Sequence, residues 1–176
     1  PEEEGRLAVG MVIDESGSMA SEDRITHCRK TAIILYDFCK SLGIPITIYG
    51  HSTGGGVQLY SYAEFDGFDH DDKYRMMDIA ARGSNRDGAA LRFVAEQLSK
   101  RPEAVKILIL VSDGQPADSG YGGSAAEEDL RGIKQEYQRK GILFVAAAIG
   151  DDSVTRSCGK SAGTKEKERN SSLLEN

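Results

Sequence analysis

The chain has 176 residues, 39% of them hydrophobic and 28% charged, with a formal net charge of -6. That hydrophobic share suits one globular domain with a sizeable core. The acidic balance argues against a nucleic-acid binder, because phosphate neutralisation needs a basic face and no dense Lys/Arg stripe precedes the C-terminal tail. No apolar segment approaches the ~20 residues that span a bilayer, and Pro1-Glu2-Glu3-Glu4-Gly5 lacks the apolar core of a signal peptide. Cys28, Cys39 and Cys158 are odd in number and show no CxxC spacing; the first two fall in a helical pattern and read as small buried hydrophobes. These features predict a reduced, cytoplasmic setting, and an opening at Pro1 rather than Met reads as a domain taken from a longer chain.

In chain order, Leu7–Ile13 is a continuous apolar run ending in Asp14, which predicts a buried parallel strand. Ser21-Glu22-Asp23 is expected to cap the next helix, whose apolar positions Ile25, Cys28, Ala32, Leu35, Tyr36, Cys39 and Leu42 recur at helical spacing before Gly43 and Pro45 stop it. Ile44–His51 and Val57–Phe65 are β-rich, and the short linker Ser52-Thr53-Gly54-Gly55-Gly56 predicts a hairpin rather than a phosphate cradle. Asp71–Ala80 reads as a short helix, Ala81–Asp87 as a polar loop, and Gly88–Lys100 as a helix buried through Leu91, Val94, Ala95 and Leu98. Val105–Val111 is a second apolar strand, Ala125–Lys140 a helix and Ile142–Ile149 a third apolar strand. The order βα-ββ-αα-βα-β implies an α/β fold with a doubly wound, mostly parallel sheet and one antiparallel edge strand. Residues 1–151 form the expected domain. The tail 152–176, rich in Ser, Lys, Glu and Arg, is expected to be loosely held, leaving one flank of the last strand thinly covered.

Three loops carry candidate chemistry. Asp14-x-Ser16-x-Ser18 follows the first strand, Gly83-Ser84-Asn85-Arg86-Asp87-Gly88-Ala89-Ala90-Leu91 enters a helix, and Asp113-Gly114 ends a later strand. In a parallel sheet these segments converge at one carboxyl edge, where ligands of open sheets bind. Hydroxyls, an amide oxygen and carboxylates are the donors that Mg²⁺ takes, with Mn²⁺ or Ca²⁺ as substitutes in vitro. Each loop alone is an ordinary turn composition; the convergence makes the case. Asp69-His70-Asp71-Asp72 is expected to cap a helix rather than bind metal, and His27 and His51, with no partner at ligand or nucleophile-base spacing, to be helix-surface and strand-end residues. Tyr60, Tyr62, Phe65 and Phe68 are expected to pack a sheet face or its rim.

On these residues the chain resembles a von Willebrand factor A (vWA) domain over roughly residues 6–150, with Asp14, Ser16 and Ser18 on the D-x-S-x-S pattern that opens the metal-ion-dependent adhesion site (MIDAS). The resemblance implies a three-layer αβα fold and a metal held by Asp14, Ser16, Ser18, Asp113 and a second-loop residue. The family's second loop reads G-x-T-x-T-x-x-A-L; here Asn85 stands where the ligating Thr is expected, and Asp87 offers a carboxylate that competes for that role. The N-x-D-G form, with Ser112-Asp113-Gly114-Gln115-Pro116-Ala117-Asp118, is more similar to the branch of the cobaltochelatase protein CobT and the nitric oxide reductase activation protein NorD than to integrin inserts. That resemblance implies a non-enzymatic binding module which grips an acidic side chain of a protein partner through the metal, and works with a MoxR-type AAA+ ATPase in metal insertion or metalloenzyme maturation. An extracellular adhesion domain is the alternative. A phosphatase using Asp14 as nucleophile is a weaker one, since Ser16 occupies the position where such enzymes carry a second Asp.

Overall fold

The computed structural model describes residues 7–84, 86–113 and 123–149. Strand β1 (Leu7–Asp14) leads through a 3-10 segment, Gly17–Asp23, into α1 (Arg24–Ser41); β2 (Ile46–Thr53) and β3 (Val57–Ala63) form the hairpin. Helices α2 (Asp72–Met76) and α3 (Asp87–Ser99), strand β4 (Val105–Ser112), helix α4 (Gly123–Arg139) and strand β5 (Ile142–Ala148) complete the described order. The sheet runs β3-β2-β1-β4-β5. All neighbouring pairs are parallel except β2 and β3, which places the antiparallel strand at an edge as expected.

The alternation of β1 sorts the core into two layers. Val9, Met11 and Ile13 pack with Cys28, Ala32, Tyr36 and Cys39 of α1 and with Met76 of α2. Ala8 and Val12 pack on the opposite face with Ala90, Leu91, Val94, Ala95 and Leu98 of α3 and with Ile133 and Tyr137 of α4. Cys28 and Cys39 are free and buried, as a reading of small hydrophobes requires. Burial, followed by the nearby charges of Asp14 and Glu15, pushes the Cys28 thiol up to about 12. Because β1 has β2 on one side and β4 on the other, the chain order reverses beside β1, and the carboxyl ends of β1 and β4 flank the crevice where open α/β sheets bind ligands.

The cap of α1 differs from expectation. Asp23 precedes α1 with left-handed backbone at φ 58° and makes no side-chain cap hydrogen bond; a capping side chain reaches the first N–H groups from an extended backbone, which this residue lacks. At α2 the acidic cluster does meet backbone amides at the helix start: Asp69 Oδ1 accepts the Asp71 N–H at 2.9 Å, though Asp71 itself makes no side-chain cap. Asp72 is buried and accepts the Tyr36 hydroxyl at 2.6 Å and the Asp69 N–H at 3.0 Å, so the cluster also closes a turn onto α1. At the far edge, Leu143 and Val145 of β5 are 57% and 47% exposed on the α1 side of the sheet, in line with the thinly covered flank read from the sequence. The tail and Cys158 lie outside the described residues.

Gly10 lets α3 approach β1: a Cβ there would stand 2.9 Å from Val94 Cγ1 and 3.0 Å from a methyl of Leu108. Gly10→Val should therefore destabilise the fold by about 1–3 kcal/mol through overpacking. Urea unfolding measures this, and an unchanged midpoint would contradict the close packing of α3 on β1.

Candidate metal centre

Strand register assembles the first part of the site. Asp14 and His51 are directly paired on β1 and β2, and each continues the alternation that carries Val12 and Tyr49 to the α3 face. Asp87 opens α3 on that same face. One ligand-type atom from each of Asp14, His51 and Asp87 lies within 4.8 Å of the others, and all three residues are buried. His51 Nε2 is 3.0 Å from Asp87 Oδ1, yet the two are not aligned as a hydrogen bond, and among the described residues both imidazole nitrogens and Asp87 Oδ1 lack hydrogen-bond partners. Burial, and then the neighbouring Asp87 charge, raise the Asp14 carboxyl above its ordinary value, against the pull of its hydrogen bonds to Ser16. The Ser16 N–H donates to Asp14 Oδ1 at 2.8 Å, and the Ser16 and Ser18 hydroxyls lie 3.0 Å apart, so the first loop does gather its three oxygens.

The second loop is held to the first by Glu15, a residue that sequence reasoning passed over. Glu15 is fully buried; it accepts the Tyr62 hydroxyl on one oxygen and Arg82 Nε on the other, at 2.6 Å. Burial lifts its carboxyl above the usual range, while Tyr62 and Arg82 oppose the shift. Backbone bonds run alongside: Glu15 N–H to His51 O at 2.9 Å, Arg82 N–H to Glu15 O at 2.6 Å and Gly17 N–H to Gly83 O at 2.7 Å. Thr53 and Ser84 exchange a pair of backbone bonds. Gly83 is required there, since a Cβ would strike the Thr53 carbonyl. Arg82 also donates to Asp78 O at 2.8 Å and lies 4.4 Å over the Tyr60 ring, which gives that aromatic its rim position.

Of the residues read as ligands, the structure brings Asp14, Ser16, Ser18 and Asp87 to one sheet edge. Asp113 stands just past β4, next to β1, and its carboxylate is 3.6 Å from Arg24 at the start of α1; among the described residues it is not part of the Asp14–His51–Asp87 cluster. Asn85 lies outside the described residues. His51 differs from expectation: it is not a solitary strand-end residue but faces two carboxylates, because β2 pairs with β1 in a register that no local spacing encodes.

A family model described as the cobalamin biosynthesis protein CobT VWA domain matches residues 72–169, more than half of the chain. The uncharacterized protein YojO of Bacillus subtilis is 24% identical over 156 residues, which is 84% of this chain and 24% of that protein. Protein NorD of Brucella abortus is 30% identical over 151 residues, 81% of this chain and again 24% of the relative. The chain thus spans about a quarter of the length of these relatives. Among solved structures, the pilus adhesin SpaC of Lactobacillus rhamnosus GG in its open conformation superposes with a TM-score of 0.63 at 16% identity, covering 87% of this chain and 25% of that one. The vWF domain of the type V pili tip protein Mfa5 of Porphyromonas gingivalis does so with a TM-score of 0.51 at 18% identity, covering 64% and 39%. At these identities the likeness to solved structures is one of fold.

Removing the buried acid that ties the two loops leaves Arg82 and the Tyr62 hydroxyl without their acceptor. Breaking a buried pair costs about 3–5 kcal/mol, but Arg82 is a third exposed and can turn to water, so Glu15→Ala should lose about 2–3 kcal/mol. Thermal and urea unfolding read the loss, and a value within experimental error of wild type would show that Glu15 does not hold the loops.

Proposed function

The chain belongs to the CobT VWA-domain family, and on that basis we propose that it is a metal-dependent protein-binding domain rather than an enzyme. The observation that carries this reading is the pair of buried carboxylates Asp14 and Asp87, set within 4.8 Å of one another beside a fully buried His51. Charges in low dielectric are strongly disfavoured unless paired or coordinated, and Asp87 Oδ1 has no hydrogen-bond donor. The donor set fits a hard divalent cation: carboxylates from Asp14 and Asp87 with the adjoining hydroxyls of Ser16 and Ser18. Asp113, just past the neighbouring strand β4, is the further carboxylate that the family resemblance adds to this set. We assign the second-loop role to Asp87, whose carboxylate lies with Asp14 in the buried cluster.

When bound, a divalent ion supplies a Lewis-acidic position that accepts a carboxylate from another protein. The chain's own residues prepare that position. Glu15 and Arg82 hold the two loops in register, and the Ser16 N–H fixes one oxygen of Asp14. Arg24, 3.6 Å from Asp113, offsets part of the site's negative charge and so favours an acidic partner. Ser16 stands two residues after Asp14, where a phosphatase using Asp14 as nucleophile would carry a second Asp, so recognition is the better use of the site. The partner we assign is a MoxR-type AAA+ ATPase, with the assembly working in the cytoplasm on metal insertion or metalloenzyme maturation. The name of the matching family supports the metal-insertion part of this reading, because cobalamin is a cobalt cofactor.

Calorimetry with Mg²⁺ on the full chain tests the centre. Wild type should bind, Asp14→Ala should show no heat of binding, and Asp87→Ala should lose more affinity than Asn85→Ala. Equal binding by all of them removes the assigned site. The ATPase should be retained by the immobilised chain in Mg²⁺ and released by EDTA; retention in EDTA would refute a metal-bridged contact.

A further inference from the structure

The imidazole of His51 is the one group of the buried cluster that an all-oxygen site leaves unexplained. It is fully buried, and among the described residues neither ring nitrogen has a hydrogen-bond partner. A structural His–Asp pair would turn an N–H onto the carboxylate. Here Nε2 and Asp87 Oδ1 are 3.0 Å apart without that alignment. Two donors of one ion show this geometry: with metal–ligand bonds of about 2.0–2.2 Å, cis donors sit about 3 Å apart and trans donors about 4 Å apart, with lone pairs aimed at the ion and not at each other. The His51–Asp87 separation matches cis donors, and all three ligand atoms lie within 4.8 Å of one another. Register explains how the imidazole comes to be there: His51 is the β2 partner of Asp14, so the pleat turns both side chains to the face on which α3 begins.

We propose that His51 is a nitrogen ligand of the same cation, which turns the site's preference from Mg²⁺ toward a first-row transition ion in the Mn²⁺ to Zn²⁺ series. The proposal rests on the reading that Asp14 and Asp87 hold a divalent ion. Carboxylates and water suit Mg²⁺, whereas imidazole suits the borderline transition ions, and two carboxylates with one imidazole favour the latter. The deeper consequence is selectivity: a chain with this donor set distinguishes transition ions from the far more abundant Mg²⁺ by one strand-borne residue.

The test uses Mn²⁺ bound to the full chain and examined by electron spin-echo modulation, together with Mg²⁺, Mn²⁺ and Zn²⁺ calorimetry on wild type and His51→Asn. The wild-type spectrum should carry imidazole nitrogen modulation that His51→Asn removes. The substitution should weaken Mn²⁺ and Zn²⁺ by about tenfold or more while Mg²⁺ falls much less. Bound Mn²⁺ without nitrogen modulation, or an equal loss for all three ions, overturns the nitrogen ligand and leaves the oxygen site standing. If wild type binds none of the three ions, both readings fail together. Should His51→Asn not fold, the wild-type spectrum decides alone.

Discussion

Two carboxylates confined with an imidazole beneath the carboxyl edge of a parallel sheet form the constraint around which this domain is arranged. Burial raises Asp14, and Asp87 raises it further, so the cluster is unfavourable by itself and persists only because the surrounding structure over-determines it. The over-determination is visible. β1 is buried along its length between two helical layers and is clamped on both sides by parallel neighbours. Asp14 cannot move to water without withdrawing the strand.

Glu15 extends the same logic by one residue. It points to the opposite face from Asp14, where Tyr62 and Arg82 take its two oxygens, and adjoining backbone bonds tie the ends of β1 and β2 to the loop that precedes α3. Consecutive acids therefore divide the work: Asp14 belongs to the site and Glu15 to the frame that positions it. A frame built from a partly buried ion pair and backbone bonds fixes the loop's register, because each partner lost leaves a polar group unsatisfied.

The fold is shared with the pilus adhesin SpaC and the vWF domain of Mfa5, while the sequence relationship is to the CobT family. A common scaffold hosts many functions, so the argument for this chain has to come from the residues at its sheet edge. There, Arg24 beside Asp113 and His51 beside Asp87 make the surroundings both more cationic and richer in nitrogen than the bare D-x-S-x-S pattern conveys.

The order of elements, the antiparallel hairpin at Gly54-Gly55-Gly56 and the oxygens of Asp14, Ser16 and Ser18 were legible in the sequence, because each is written in local spacing: an apolar run, a glycine linker, alternate side chains after a strand. Tertiary structure alone decided that β1 lies between β2 and β4, that His51 meets Asp14 and Asp87, and that Arg82 reaches back across the chain to Glu15. The cap misread at Asp23 falls in the same class, since its left-handed backbone goes with no side-chain cap hydrogen bond to α1. The physical reason is register. Which residue of one strand faces which of the next depends on how two distant apolar surfaces settle against α1 and α3, and a shift of one position would turn His51 to the other side of the sheet.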